Sequence, residues 1–551
     1  MAIRNRGSAP SSSRVVVHPF PQVILFALLL LPTGAFAQPA VDKELPPDAA
    51  DEAGAFEGGS PDTDDPATTD EDDGAAADDG AAADDGIIVS GEASAATADD
   101  GVVVTSGGSL FGDSGEAGET TTDGVTSSNL EINGFVRSDF FVGKAPGYST
   151  GEIKAGYGEL ALQLRTAAGS YGDAYAELRT RYGQQGSNKG LIVDLREAYV
   201  DANFGPLDLR LGHQIIVWGR AIGFNPTNNL TPFDLSVRSP NEDDRRMGNV
   251  GARAYLNFQP LQLEGVWMPI YRAYELPDVP LPQYVSFGDP DYPPSELPSG
   301  LGAGRAHLLF PSFETSVSYA YGYAPLPGLA RLDYTVGVVP PSVRIARTAY
   351  KQQVFGVDFS AIIADELAVR GEAAYRRPFD PDLIHAPRPD LQYVLGMDRT
   401  FGNVSVMAQY IGRYTFDWQR DARAETPADP TILGNLNPPL TPTLEQTINT
   451  AIDTELAYRN QMLFQQLAEI QHLASFRVEW NTLYQTLSLS VVAMHNFTTK
   501  EWLAYPKILY KLDDNMSTAI GGEIYAGPDD TLLGFIEEEL SAGYVELRYS
   551  F

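Results

Sequence analysis

The chain ends in a strand-like stretch, Tyr544-Val545-Glu546-Leu547-Arg548-Tyr549-Ser550-Phe551. Apolar and aromatic residues alternate there with charged or polar ones, the period of a β-strand whose two faces meet different surroundings. The apolar face comprises Val545, Leu547, Tyr549 and Phe551. Such a strand suits a barrel wall with lipid on one side and water on the other. This ending predicts the closing strand of a membrane β-barrel, although an edge strand of a soluble protein would alternate in the same way.

The N-terminus has the layout of a secretory signal. Three arginines among the first 14 residues precede the apolar run Val23–Leu31, and Ala35-Phe36-Ala37 supplies a small-x-small cleavage site. The apolar run is short for a bilayer span, so residues 1–37 predict a cleaved signal peptide. No later stretch approaches 18 consecutive apolar residues. If the mature protein crosses a membrane, we expect it to do so as a closed barrel, whose backbone is fully hydrogen-bonded in lipid.

Residues 38–129 are strongly acidic. From Val41 to Leu130 there are 24 acidic residues and one base, Lys43, giving a net charge of −23 out of −35 for the whole chain. Asp-Asp-Gly repeats begin at positions 72, 78, 84 and 99. This composition buries too little apolar surface to offset its ordering entropy, so we predict a disordered periplasmic tail. Loose Ca²⁺ binding and a tether to a basic periplasmic partner are the alternatives.

Residues 130–551 show segments of about ten residues with alternating hydrophobicity, the pattern of a membrane barrel. One segment alternates Leu160, Leu162 and Leu164 with Glu159, Gln163 and Arg165. Full charges on the polar face suit a wet lumen, because lipid tolerates them poorly. The sequence therefore predicts an all-β, transmembrane antiparallel barrel.

The connections between these segments alternate in length. Every second one is tight, as at 204–207 and 401–403, whereas those between are mostly long, as at 219–248 and 416–471. Short turns on one side and long loops on the other are typical of outer-membrane barrels, and both chain ends on the short-turn side require an even strand number. Pairing Phe313–Tyr323 with Asp333–Val339 gives 18 strands, and treating that region as loop gives 16. We favour 18, a size that leaves an aqueous channel.

Two stretches also carry a resemblance. Arg210-Leu-Gly-His-Gln-Ile-Ile-Val-Trp-Gly-Arg220, followed by Asn225-Pro226 and Asp243–Arg246, resembles a landmark of a porin-like outer-membrane family that is similar to alginate-export channels. The terminal residues ending in Phe551 resemble the signal by which outer-membrane barrels are recognised and closed. The resemblance implies a porin fold over residues 130–551. It also implies outer-membrane lipid, periplasmic chaperones and the barrel assembly machinery as partners.

Charged and polar residues on neighbouring predicted strands are candidates for lining the lumen and for selecting the solutes that pass through it. They are Arg165, Glu177, Arg179, Arg181, Asp194, Arg196, Glu197, Asp208, Arg210, Gln214 and Arg253. Opposed charges across a pore shape the field that selects permeants. The alternative is internal salt bridging that pins the long loop into the barrel mouth.

The loop at 219–248 is predicted to constrict the channel, with Asn225-Pro226 turning it back toward the wall. Its candidate residues are Trp218, Arg220, Asn225, Asp243, Asp244, Arg245 and Arg246. Trp218, Trp267, Trp480 and Trp502 lie near predicted strand ends and are expected in aromatic girdles. Within 416–471, helical spacing and a capping-box candidate, Thr443 with Gln446, predict one or two helices that plug or cap the mouth.

Catalysis has little support in the sequence. The histidines of the mature chain are scattered without metal-site spacing, so no metal and no cofactor is predicted. An envelope hydrolase built on His472 or His495 would need a nucleophile–base pair, and none is visible. Nucleic acid is excluded as a ligand, because the barrel region carries 49 acidic and 34 basic residues.

The sequence thus predicts a non-enzymatic outer-membrane channel for small or oligomeric solutes, whose permeant and oligomeric state stay open. The alternative is a structural or assembly barrel whose acidic tail recruits a periplasmic partner.

Overall fold

The computed structural model describes residues 130–145, 150–167, 171–186, 188–277, 284–337, 342–363, 367–421, 435–436 and 440–551. The predicted signal peptide and acidic tail lie outside the described residues.

The described residues contain 21 strands. They are β1 (Leu130–Lys144), β2 (Gly151–Ala167), β3 (Gly172–Gln185), β4 (Asn188–Phe204), β5 (Leu207–Gln214), β6 (Asn249–Phe258), β7 (Leu261–Met268), β8 (Val285–Phe287), β9 (Leu301–Phe310), β10 (Phe313–Tyr323), β11 (Gly328–Thr335), β12 (Ser342–Thr348), β13 (Lys351–Ile363), β14 (Leu367–Pro378), β15 (Asp390–Phe401), β16 (Val404–Thr415), β17 (Ile470–Thr482), β18 (Leu487–Asn496), β19 (Trp502–Lys511), β20 (Met516–Ala526) and β21 (Ala542–Ser550).

Eighteen of these strands form one closed antiparallel barrel, and β8, β11 and β12 form a separate small sheet. Each barrel strand pairs with its neighbour along the chain, and β21 closes the ring on β1, with Phe135 opposite Ser550. The predicted count of 18 is confirmed.

One predicted strand pair is wrong. Phe313–Tyr323 is a barrel strand, but it pairs with β9 and β13, and the segment proposed as its partner lies partly in β11, outside the barrel. The reason is the outward face of β9, where Gly302, Gly304 and Ala306 replace the large apolar residues that mark other strands. Without them, the strand gives almost no alternation to detect.

The terminal strand has the two faces that its sequence predicts. The side chains of Val545, Leu547, Tyr549 and Phe551 are 44–50% exposed, whereas Tyr544 and Glu546 on the opposite face are buried. Exposed apolar residues recur in this way on neighbouring strands, as at Val136, Phe140 and Ile520. The barrel therefore presents an apolar outer surface around a polar interior.

Closure places the last residue directly against β1. Gly134 and Phe551 exchange two backbone hydrogen bonds of 2.9 Å. A Cβ atom at Gly134 would overlap both the Ala161 carbonyl oxygen and the Phe551 ring. This position accordingly needs glycine.

Gly134→Ala is expected to impair closure, since overpacking of this kind costs about 1–3 kcal/mol. The fraction of protein that migrates as a compact barrel in unheated SDS gels should fall. Gly265→Ala is the matched control, because a Cβ atom there meets nothing within 4 Å. Equal folded fractions for the two variants would contradict the role assigned to Gly134.

Two α-helices lie in the described loops, α1 (Pro442–Leu463) and α2 (Leu532–Leu540). The helix predicted within 416–471 is confirmed as α1, but its N-cap is Thr441, whose side chain accepts from Leu444 N, and not Thr443. Pro442 at the first helical position explains the earlier start. Neither helix is long and apolar enough to cross a membrane.

Helix α1 and the small sheet pack together as one layer, and Leu463 at the end of α1 lies in a buried cluster with Leu503 of β19 and Tyr525 of β20. Ile448, Ile452 and Leu456 share a buried cluster with Val343 and Ile345 of β12. Both roles given to this helix, the cap and the plug, stay predictions.

Candidate functional site

The connection between β5 and β6, residues 215–248, folds into the barrel interior; we call it the constriction loop. Its Asp244 bonds Arg137 of β1, and its Arg220 bonds Asp358 of β13. These two strands lie nine places apart in the ring of 18. The loop therefore reaches from one wall to the opposite one, starting four residues earlier than predicted.

The near end of the loop is held through Asp244. This residue lies in a 3-10 turn, Glu242–Arg245, which Asn241 caps. Its carboxylate accepts from Arg137 at 2.6 Å, from Arg179 at 2.5 Å and from the Ser239 hydroxyl. The whole group is buried, so these bonds fix the position of the turn.

The wall behind Asp244 continues the network. Arg137 and Arg181 both approach Glu159, at 2.6 and 3.0 Å, and Arg179 also donates to Glu177 at 2.6 Å. The side chain of Arg196 donates to the carbonyl oxygens of Asp243, Asp244 and Arg246. Four predicted lumen residues, Glu177, Arg179, Arg181 and Arg196, are thus brought together, and their contacts are those of an anchor.

The pKa of Asp244 reflects this setting. Burial alone would raise it, but the guanidinium groups of Arg137, Arg179 and Arg196 hold it well below its ordinary value of 3.8. A carboxyl group whose pKa is depressed on folding contributes stability above its ordinary pKa and loses that contribution as the pH falls through the depressed value.

From this carboxylate we expect no change in unit conductance or unfolding temperature between about pH 8 and about pH 4, followed by a loss in stronger acid. Conductance and thermal unfolding recorded across that range test the expectation. A titration step between about pH 5 and pH 7 that disappears in Asp244→Asn would contradict it.

The far end of the loop is held by Glu372 of β14. Its carboxylate accepts from the backbone N–H groups of Arg220, Ala221 and Thr227, at 3.0, 3.2 and 2.6 Å, and from the Thr227 hydroxyl at 2.6 Å. Gly219 has a φ of +104°, and a Cβ atom there would overlap the same carboxylate. The predicted Asn225-Pro226 turn precedes Thr227 and returns the chain to this wall, with Asn228 N bonding Asn225 O.

Sequence reasoning missed Glu372. It lies two residues from Arg370 and from Ala374 and therefore on the same strand face as both. Its partners, however, are mostly backbone groups, which leave no trace in residue identity.

Two further side chains secure the start of the loop. Arg220 bonds Asp358 at 2.7 Å and also contacts Glu314.

Trp218 is buried and donates to Glu264 at 2.9 Å, so its predicted place in an aromatic girdle is wrong. The chain has already turned inward at this residue, four positions past the end of β5. Trp267, Trp480 and Trp502 are exposed on strands, as a girdle requires.

A third anchor lies on β20. Arg238 and Arg245 both bond Glu523, at 2.8 and 2.6 Å. Arg238 also donates to the carbonyl oxygens of Glu539 and Leu540 at the end of α2. Among the ion pairs of the described residues, Arg246 has one partner, Asp243, which lies three positions earlier in the chain.

The remaining predicted lumen residues make separate contacts, some of them with the loop or with residues that bond it. Arg210 is bonded twice to Asp201, and Arg253 to Glu264. Arg165 pairs with Asp173, Asp208 accepts from Asn257, and Gln214 donates to the Gly251 carbonyl oxygen. Glu197 accepts from Ile215 N of the constriction loop, and Asp194 lies in register with Arg179.

The two histidines considered for a hydrolase lie on the outward face. His472 is exposed and its Nδ1 lies 2.6 Å from the Tyr410 hydroxyl, while His495 packs edge-on against Phe497. Both therefore point away from the lumen.

A closed 18-stranded barrel with an apolar outer face, a charged interior and a loop folded across it defines a porin-like transmembrane β-barrel. The chain can be placed further by comparison. A family model described as "Protein of unknown function (DUF1302)" matches residues 150–399. No curated protein matches the chain.

Solved structures similar to this chain include proteins of Acinetobacter and Pseudomonas. OccAB2 from Acinetobacter baumannii has 10% sequence identity and a TM-score of 0.43, and the match covers 77% of this chain and 98% of the OccAB2 chain. The outer membrane protein opdK from Pseudomonas aeruginosa has 8% identity, a TM-score of 0.44 and coverage of 77% and 98%. A BenF-like porin from Pseudomonas fluorescens Pf-5 has 11% identity, a TM-score of 0.45 and the same coverage.

Proposed function

We propose that this protein is an outer-membrane channel through which small or oligomeric solutes diffuse. The observation that carries the proposal is the constriction loop, which crosses the interior of an 18-stranded barrel and is bonded to opposite walls. A barrel of this size leaves an aqueous lumen, and a fixed loop within it narrows the path without needing to close it. The arginines and carboxylates of the wall and loop set its selectivity.

The topology supports a periplasmic position for the N-terminal tail. Leu130 pairs with Thr166, beside the short β2–β3 turn, and Phe551 bonds Gly134 at the same end. Short turns face the periplasm in barrels of this type, and the long loops with α1 and α2 face outward. The kinship with alginate-export channels stays a prediction.

Single-channel recording in planar bilayers tests the proposal. Purified protein should give discrete open-channel steps, and Arg210→Ala should alter the ion selectivity measured as zero-current potential in a KCl gradient. A correctly folded barrel that never conducts would contradict the channel. It would favour the structural or assembly role, which tail deletion would then test.

A further inference from the structure

An apolar band interrupts the polar lumen wall on four neighbouring strands. Its members are Val394 of β15, Ile411 of β16, Leu473 of β17 and Met494 of β18. Val394 lies opposite Ile411, and Ile411 lies opposite Leu473, so the band follows the wall at one level. Val394 also lies opposite Glu372, which holds the far end of the constriction loop. The band is therefore at the level of the constriction.

Polar residues lie on the inward face on both sides of the band. Toward the long loops, the next inward positions on the same strands are Gln392, Arg413, Gln471 and Asn496. Toward the short turns, the Ser475 hydroxyl donates to the Gln409 side chain at 2.9 Å. A water-filled lumen favours polar side chains throughout, so the apolar band is matched to something apolar inside the barrel.

The constriction loop supplies part of that match. Its Ala221 forms a cluster with Val394 and Ile411, and these two wall residues are 3% and 1% exposed. Three further side chains pack against the cluster and are only half-buried: Phe224 of the loop, Leu473 and Met494. Because the two wall residues face inward and the loop lies inside the barrel, the exposed part of these side chains borders the lumen.

The contact with β15–β18 also differs in kind from the other contacts of the loop. The loop meets β1, β3, β13, β14 and β20 through ion pairs and hydrogen bonds, whereas Ala221 and Phe224 meet this wall through apolar surfaces. A path between the loop and this wall therefore crosses an apolar passage.

We propose that solutes pass between the constriction loop and strands β17 and β18, where Phe224, Leu473 and Met494 form an apolar constriction. The proposal rests on the proposed channel function and names the class of its permeant. A narrow apolar passage resists hydrated ions and densely hydroxylated solutes, because it offers nothing in place of their water. A solute with an apolar part gives up less hydration there and buries apolar surface against the three side chains. The favoured permeants are therefore small amphipathic organic molecules.

Cysteine labelling tests where the path runs, and the chain has no cysteine of its own. Leu473→Cys and Met494→Cys should react with the anionic reagent 2-sulfonatoethyl methanethiosulfonate, and the bulk of the attached group should lower the open-channel current. Val354→Cys is the matched control. Val354 also lies on the inward face of the wall, but it is 4% exposed in a cluster with Trp218 and Leu230 of the loop, so its current should not change.

Two anions of equal charge and carbon number test the selection by polarity. Hexanoate and gluconate are both six-carbon monocarboxylates, and only gluconate carries hydroxyl groups along its chain. Zero-current potentials should give a permeability ratio of hexanoate to gluconate of at least about threefold, below the ~10-fold or more that one methylene gains in a closed apolar pocket. Leu473→Ser should bring the ratio toward one. Leu473→Ala widens the passage similarly but keeps it apolar, so it should retain the ratio.

The outcomes separate this inference from the channel function. Unlabelled cysteines at 473 and 494, labelling that leaves the current unchanged, or equal ratios in Leu473→Ser and Leu473→Ala would each overturn the apolar constriction and leave the channel standing. A wild-type ratio near one would do the same. A folded barrel that carries no current in any of these salts would instead overturn the channel function on which the inference rests.

Discussion

Replacing Glu372 with alanine is expected to raise the unit conductance and make the open current noisier. This single carboxylate accepts four hydrogen bonds from the far end of the constriction loop. Hydrogen bonds to a charged group contribute about 1.5–3 kcal/mol each, and even 3 kcal/mol changes the ratio of bound to released loop by about 150-fold. The loop segment from Gly219 to Thr227 should then leave the β14 wall and widen the path.

Glu479→Ala provides the matched control, since Glu479 belongs to β17 and pairs there with Arg477. Glu372→Gln should lie between the wild type and Glu372→Ala, because the amide keeps one acceptor oxygen but turns an N–H₂ group toward the loop donors. Limited proteolysis within 219–227 gives a second readout, which should increase in Glu372→Ala alone. Unchanged conductance in a variant that folds normally would show that this end of the loop is held by other contacts.

The wall of the barrel was predictable from sequence because its signal is local. Lipid outside and water inside impose the period of two that the terminal strand shows at Val545, Leu547 and Tyr549, and each strand carries it alone. The exception, β9, lacks large outward side chains. The predicted strand Asp333–Val339 was misassigned for the opposite reason. It overlaps β11, which alternates as a barrel strand does, and only the pairing of β11 with β12 places it in the small sheet.

The sequence predicted which residues belong to the candidate site, but it did not predict which of them bond to each other. Charged residues such as Arg179 and Asp244 could be assigned to lumen and loop by strand parity and by a break in alternation. Their pairing joins positions 65 residues apart, and the Thr227–Glu372 contact joins positions 145 apart. Such contacts depend on how the loop folds across the lumen, which no local pattern determines. Trp218 shows the same limit, because its nearness to a strand end suggested a girdle that the inward turn excludes.

Replacing Asp244 with alanine is expected to weaken the barrel and to shift its selectivity toward anions. The change leaves Arg137 and Arg179 buried without the carboxylate they share. Removing one partner of a buried ion pair costs about 3–5 kcal/mol, and we expect the lower end of that range because Arg137 keeps Glu159 and Arg179 keeps Glu177 as partners. The same unbalanced charge lies where the loop meets the wall, so it should attract chloride and move the zero-current potential in a KCl gradient.

The neighbouring Asp243→Asn is the control, since the Asp243 side chain is half-exposed and pairs only with Arg246 among the described ion pairs. It should change neither property appreciably, as exposed ion pairs contribute about 0–1 kcal/mol. Arg179→Gln combined with Asp244→Asn removes one charge of each sign, and it should restore the selectivity while recovering part of the stability. A double-mutant cycle over these two positions separates their coupling from general damage to the loop. If the zero-current potential of Asp244→Ala equalled that of the wild type, the arginine cluster would be an anchor without influence on the permeating ions.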